Sequence, residues 1–298
     1  MTQITLLDGS IGQELVKRAG DAPTPLWSTQ VMMDHPELVG AVHRAYFDAG
    51  ATVASTNTYA VLRDRLRRVG LEDQAGRLAQ EAVKAAREAR AAHGSGRVAG
   101  VLGPLVQSYR PEVCPPAEEA AKLYAEPVAD LKDHVDLLLL ETMASVDQAE
   151  GALRAACGQG LPVWVALTVA DADGTTLRSG EALEAIAPLI KRFKPEAVLI
   201  NCSRPEALAP ALEVLKTFDR PFGAYANGFT DISDGFLQEA PTVDALSARH
   251  DLSPAAYADF AIGWIAQGAR IVGGCCEVGP DHIRELARRI KEAGHEIV

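Results

Sequence analysis

The strongest constraint in this sequence is an alternation that runs from end to end: short runs rich in Val, Ile and Leu are separated by longer segments with helical spacing. Apolar runs of about four to eight residues, bounded by turn signals, read as strands buried on both faces. There are eight: "ITLLD" (4–8), "ATVAST" (51–56), "RVAGVLG" (97–103), "VDLLLLE" (135–141), "VWVALTV" (163–169), "AVLIN" (197–201), "FGAYA" (222–226) and "RIVGG" (270–274). Between them, Leu38, Val39, Val42, Tyr46 and Ala49 share one helical face, as do Leu183, Ile186, Ala187, Ile190 and Phe193. Pro36, Pro254 and Pro280 fall where helices should begin, a position at which the missing N–H costs nothing. Ser253 is the expected N-cap of the helix at Pro254. Eight strand-then-helix repeats predict a (β/α)8 TIM barrel, with a doubly wound open sheet as the alternative. No linker-like shift in composition divides residues 1–298, so a single domain is expected.

Composition narrows the class of function. With 48% hydrophobic and 23% charged residues the chain reads as a folded, soluble protein. Its formal charge of -11 would repel a phosphate backbone, which argues against nucleic-acid binding. The start "MTQITLLDGS" has no basic n-region, and no apolar run approaches the roughly 18–20 residues of a membrane span. Cytoplasmic localisation and small-molecule substrates are therefore expected, without a membrane partner. Five cysteines, an odd number, point to reduced thiols rather than a disulfide framework.

In a TIM barrel the chemistry collects at the C-terminal ends of the strands. The polar residues there are Asp8, Thr56 with Asn57, Glu141, Thr168, Asn201 with Cys202, Asn227, and Cys275 with Cys276. Three cysteines thus converge on one face, whereas Cys114 in a proline-rich loop and Cys157 in an expected helix have no such placement. Three soft sulfur ligands suit zinc, and a set of three protein thiolates leaves the fourth position open for chemistry. The alternative is that Cys275 and Cys276 are small buried hydrophobes. Gly273 and Gly274 are read as permitting an unusual backbone at the pair. Asp8 and Glu141 read either as acceptors for an ammonium group or as helix caps and partners for loop amides. Trp27 and Tyr59 line a pocket or belong to the core. Long segments at 9–34, 104–116 and 227–253 follow strands and should emerge at the same face, the last as an active-site loop, lid or interface.

The pieces "LLDGSIGQEL", "PLWS", "STNTY", "LGPL", "DLLLLET", "INCS", "YANG" and "GGCCEVGPDHI" occur in order along almost the whole chain. Together they resemble the homocysteine S-methyltransferase family. That resemblance implies zinc held by Cys202, Cys275 and Cys276, with the homocysteine sulfur as fourth ligand. It implies that Asp8 and Glu141 receive the substrate ammonium, that the backbone at Gly9 helps hold its carboxylate, and that Asn201, Trp27 and Tyr59 belong to the substrate site. It further implies that Asn227 takes the zinc position before substrate arrives. The methyl donor expected from "PLWS" is a sulfonium, S-methylmethionine or S-adenosylmethionine, attracted by an aromatic face. Betaine, another quaternary ammonium or a corrinoid protein is the alternative donor, and "STNTYAVLRDRL" departs from the usual form of its segment. A non-catalytic zinc- or thiol-binding protein is the alternative from a different class.

Overall fold

The computed structural model describes residues 1–298 except 22, 23, 234, 239–241 and 243–245. All eight expected strands form: β1 (Gln3–Leu6), β2 (Val53–Ser55), β3 (Arg97–Leu102), β4 (Leu137–Met143), β5 (Val163–Leu167), β6 (Ala197–Asn201), β7 (Phe222–Tyr225) and β8 (Ile271–Val272). A ninth, β9 (Glu296–Ile297), lies in a segment too short to read from periodicity. Every pairing is parallel, in the order β2-β3-β4-β5-β6-β7-β8-β1-β9. The sheet curls back on itself. Leu7 bridges Val53, Thr52 N–H donates to the Leu6 carbonyl at 2.7 Å, and Asp8 N–H donates to the Val53 carbonyl at 3.1 Å. Because the ladder already runs from β2 round through β8 to β1, this contact joins opposite ends of the strand order, a closure that a doubly wound open sheet lacks, and the fold is a barrel.

The helices lie between the strands. The first connection holds α1 (Ile11–Ala19), α2 (Ser28–Asp34) and α3 (Pro36–Ala49), and the second holds α4 (Arg63–Arg67) and α5 (Ala75–His93). One helix each follows from there: α6 (Ala117–Lys132), α7 (Val146–Ala156), α8 (Ala187–Phe193), α9 (Pro205–Leu215), α10 (Pro254–Ala266) and α11 (Pro280–Glu292). Pro36, Pro254 and Pro280 open their helices, and Ser253 caps α10 by accepting the Ala256 N–H at 3.2 Å. The segment 9–34, expected as a loop excursion, is largely helical because Ser10 caps α1 through the Gln13 N–H. The helix expected across 183–193 is divided into a 3-10 turn, Leu183–Ile186, and then α8. Pro188 has no N–H for the carbonyl four residues back, so the α ladder starts late. Cys157 is the C-cap residue of α7 rather than an interior one.

Strand parity builds two cores. Leu138, Leu140, Val165, Val198 and Ile200 face the helices, while Leu137, Leu139, Trp164, Ala166, Leu199 and Tyr225 fill the barrel. Each large side chain so buried contributes about 1.5–3 kcal/mol. The same parity turns Glu141, two residues beyond Leu139, towards the upper mouth of the barrel.

Candidate active site

The cysteines meet where sequence order alone could not bring them. Cys202 follows β6 in a left-handed conformation with φ 48°. Its N–H donates to the Tyr225 carbonyl at 3.3 Å. Its own carbonyl accepts from Arg178 Nη2 at 3.2 Å and Thr168 Oγ1 at 3.3 Å. Cys275 N–H donates to the Ala226 carbonyl at 2.9 Å, and the Cys276 carbonyl accepts from Gly228 N–H at 2.8 Å, so the chain leaving β7 grips the pair. The Tyr257 hydroxyl, reaching in from α10, donates to the Gly273 carbonyl at 2.6 Å and accepts from Ala226 N–H at 3.1 Å. The sulfur atoms of Cys202, Cys275 and Cys276 all lie within 4.8 Å of one another.

Two features differ from expectation. Cys202 and Cys275 are bonded sulfur to sulfur, whereas reduced thiols were expected; Cys114, Cys157 and Cys276 are free. A bridged pair offers no thiolate, so the reduced form is the one with metal-binding chemistry. Gly273 and Gly274 do not have positive φ, and the left-handed residues nearby are Cys202 and Glu277. The glycines serve close approach instead: a Cβ on Gly273 would strike Leu7, and one on Gly274 would strike Val278. Gly9 is constrained likewise by the Val278 carbonyl and the Tyr46 ring.

Asp8 lies just beyond β1, 2% exposed, and accepts from Ser55 N–H at 2.6 Å and Ser55 Oγ at 2.8 Å. Glu141 sits in a bulge of β4 where the register shifts between Leu140 and Met143 and Thr142 takes φ 62°. Such an extra residue re-aims a side chain next to a site. Tyr225 donates to Glu141 Oε1 at 2.8 Å. Burial pushes the Asp8 carboxyl well above the ordinary carboxylate range, against the Ser55 hydrogen bonds and with the Glu141 charge adding to the rise. Burial likewise pushes Glu141 up to about 7, which the Tyr225 hydrogen bond opposes. Burial, aided by Glu277 and Glu141, pushes the Cys276 thiol up to about 12. Such a group needs a cation beside it to ionise near neutrality.

These groups share one cavity. Asp8, Gly9, Trp27, Tyr59, Glu141, Cys202, Cys275 and Cys276 all line it, and the expected loops supply Ser108 and Tyr109 from 104–116 and Phe229, Phe236 and Leu246 from 227–253. Lid or interface, the other expectation for 227–253, falls partly on residues outside those described. Asn201 is not brought to the cavity wall; its side chain spans to Thr142, accepting from the N–H and donating to Oγ1, both at 3.0 Å, and so braces the Glu141 bulge. Asn227 is buried, and its side-chain oxygen accepts the Phe229 N–H at 3.2 Å, away from the lining. The sequence reading missed Ser55, Tyr109, Tyr225 and Phe236. Inward parity was the available signal for Ser55 and Tyr225. Phe236 meets Trp27 at 5.5 Å and Tyr109 at 6.0 Å between ring centroids, contacts between distant loops that no local pattern encodes.

The comparisons agree with this geometry. The family model described as homocysteine S-methyltransferase matches residues 5–290. The homocysteine S-methyltransferase of Escherichia coli (strain K12) is 31% identical over 310 residues, covering 96% of this chain and 95% of its own. Crystal structures of the homocysteine methyltransferase MmuM from Escherichia coli superpose at TM-score 0.81 in both a metallated form (28% identical) and an oxidized form (29%), covering 96% of each chain. No helix among the described residues is long and apolar enough to cross a membrane. A match of this extent, on a barrel that gathers the three cysteines of "NCS" and "GGCC" at one mouth, identifies the chain as a member of the homocysteine S-methyltransferase family.

Proposed function

We propose that this enzyme, acting as one domain over residues 1–298, transfers a methyl group from a sulfonium donor, S-methylmethionine or S-adenosylmethionine, to the thiol of L-homocysteine, with zinc as its metal. The observation that carries the reading is the convergence of three cysteine sulfurs in a cavity that also holds two buried carboxylates. The sulfurs of Cys202, Cys275 and Cys276 lie within 4.8 Å of one another, so that with the Cys202–Cys275 bond reduced all three would be placed to hold one ion. All-thiolate donors are soft, which favours zinc over magnesium or calcium. Bound there, zinc supplies the means of keeping the substrate sulfur as thiolate at neutral pH, in place of a free thiol with pKa near 8.5.

The protein groups bind and orient. Asp8 and Glu141 take the homocysteine ammonium, and each gains from it the counter-charge that burial denies. The Gly9 backbone, which lines the cavity, helps hold the substrate carboxylate. Trp27, Tyr59, Tyr109 and Phe236 offer ring faces to a sulfonium cation. In the transfer a new sulfur–carbon bond forms at homocysteine as the donor's sulfur–methyl bond breaks, and the electron pair leaves with a neutral sulfide. The thiol proton is lost to solvent beforehand, so no general acid is required. Family membership favours the enzyme over a non-catalytic zinc- or thiol-binding protein.

A donor panel with homocysteine as acceptor tests the reading, using both sulfoniums, betaine and a methylated corrinoid protein. Methionine from a sulfonium is expected, with zinc content and activity lost together in Cys202→Ala. Methionine from none of them, or undiminished zinc in that variant, would sink the proposal.

A further inference from the structure

A second cavity opens behind the aromatic wall. It shares Trp27, Ala60, Ser108 and Phe236 with the main one, but its own floor brings in Arg65 and Arg68. Both arginines belong to the α4 region, at the end of the stretch "STNTYAVLRDRLRR". Arg65 is half-buried. Its Nε and Nη2 donate to the Pro104 carbonyl at 3.1 and 2.6 Å, Nη2 also reaches Ser108 Oγ at 3.3 Å, and its guanidinium stacks 5.4 Å from the Tyr59 ring centroid. Arg68 donates to the Val106 carbonyl at 3.0 Å. The adjacent Asp64 accepts the Val106 N–H through Oδ2, and its buried Oδ1 has no hydrogen-bond partner. Neither guanidinium has a carboxylate within ion-pair distance among the described residues.

Two unpaired guanidinium groups at the edge of an aromatic site are at odds with a bare cation as ligand, because like charges repel across a low-dielectric wall. They fit a ligand that is cationic at one end and anionic at the other. We infer that the cavity bounded by Arg65, Arg68 and Ser108 binds the carboxylate that the proposed sulfonium donors carry. Ser108 is the joint between the two halves: its hydroxyl lies 2.8 Å from the Tyr59 hydroxyl on the main-cavity side and within reach of Arg65 on the other. A guanidinium fork presents paired donors to a carboxylate, and charge-assisted bonds of this kind fix orientation as well as affinity. The donor would then lie with its methyl-bearing end at the aromatic rings and its carboxylate behind Trp27.

This inference rests on the proposed sulfonium-dependent activity, and the test separates the two. Wild-type enzyme and Arg68→Gln are assayed with homocysteine and two donors that differ only in the carboxylate, S-methylmethionine and (3-aminopropyl)dimethylsulfonium. Arg68 is exposed and holds one backbone carbonyl, so its replacement spares the core, and Arg65→Lys provides a second variant that keeps the charge but not the fork. The expected result is a wild-type preference for S-methylmethionine in kcat/KM that shrinks about tenfold in Arg68→Gln, mainly through the donor KM, and shrinks also in Arg65→Lys. Equal use of both donors by wild type, or a preference untouched by both variants, overturns the inference while leaving the sulfonium reading intact. If neither these sulfoniums nor S-adenosylmethionine yields methionine, the functional reading falls and this inference with it.

Discussion

Removing one hydroxyl should move the pH profile of the enzyme in a direction fixed by the structure. Tyr225→Phe deletes the donor 2.8 Å from Glu141 Oε1 and leaves the ring in place among the interior side chains. A hydrogen bond to a charged group is worth about 1.5–3 kcal/mol when buried, and about 1.4 kcal/mol corresponds to one pH unit. On the proposed reading Glu141 must be ionised to hold the substrate ammonium, so activity should rise with pH through its pKa, which burial pushes up to about 7. The Tyr225 bond favours the ionised form, so its loss should carry the acidic limb up by about one to two pH units. At pH 7 the ionised fraction falls from about half to roughly 1–10%, a 5- to 50-fold loss in kcat/KM for homocysteine, while near pH 9 the gap narrows. The assay is kcat/KM for homocysteine from pH 5.5 to 9.5 at saturating donor. A uniform loss at every pH, or a limb that stays put or moves down, would refute the argument that Tyr225 tunes this carboxylate.

Other expectations follow from single residues. Gly9→Ala forces a methyl group into the Val278 carbonyl and Tyr46 ring; it should cost about 1–3 kcal/mol in urea unfolding and raise the homocysteine KM. His43 is fully buried with neither ring nitrogen hydrogen-bonded, and burial lowers its pKa from 6.5 to about 4. The unfolded chain therefore binds its proton first, and the stability present above pH 6.5 drains away as pH falls towards 4. His43→Leu should raise stability by about 1–3 kcal/mol and flatten that acid-side slope, as read from Tm against pH. Thiol titration of denatured protein should count five thiols in the reduced form but three with Cys202 and Cys275 bonded, and zinc uptake should require reductant; full loading of the bridged form would contradict the proposed ligand set.

The strands were legible because barrel strands buried on both faces leave unbroken apolar runs such as "LLLL", a signal that needs no long-range information. β9 was not, since two residues carry no period. At the site, Asp8, Glu141 and the three cysteines could be read because each stands at the end of such a run. Asn201 and Asn227 satisfy the same criterion, yet the Asn201 amide bonds Thr142 on both sides and the Asn227 oxygen accepts from the Phe229 N–H. Being last and polar does not determine where a side chain points. Tyr225 shows the converse: it lies within the run, and inward parity, not terminal position, brings it to Glu141. The bulge at Thr142 and the contacts of Phe236 depend on pairing between distant segments, which the local sequence does not express.

The place where the barrel closes couples substrate to fold. Other neighbouring strands share ladders, such as the four-residue register of β5 with β6. Between β1 and β2 there is one bridge, with β9 wedged below it and Thr52 Oγ1 donating to the Val298 carbonyl at 2.6 Å. Above the bridge the clasp is the Asp8 carboxylate itself, holding Ser55. On the proposed reading, the group that takes the homocysteine ammonium is therefore also the keystone of the sheet's weakest course. Ligand that binds only the closed form stabilises it in proportion to the logarithm of occupancy. Amide hydrogens of Asp8, Thr52 and Ser55 should accordingly exchange with solvent more slowly when homocysteine is bound, as though the substrate were mortar in the joint.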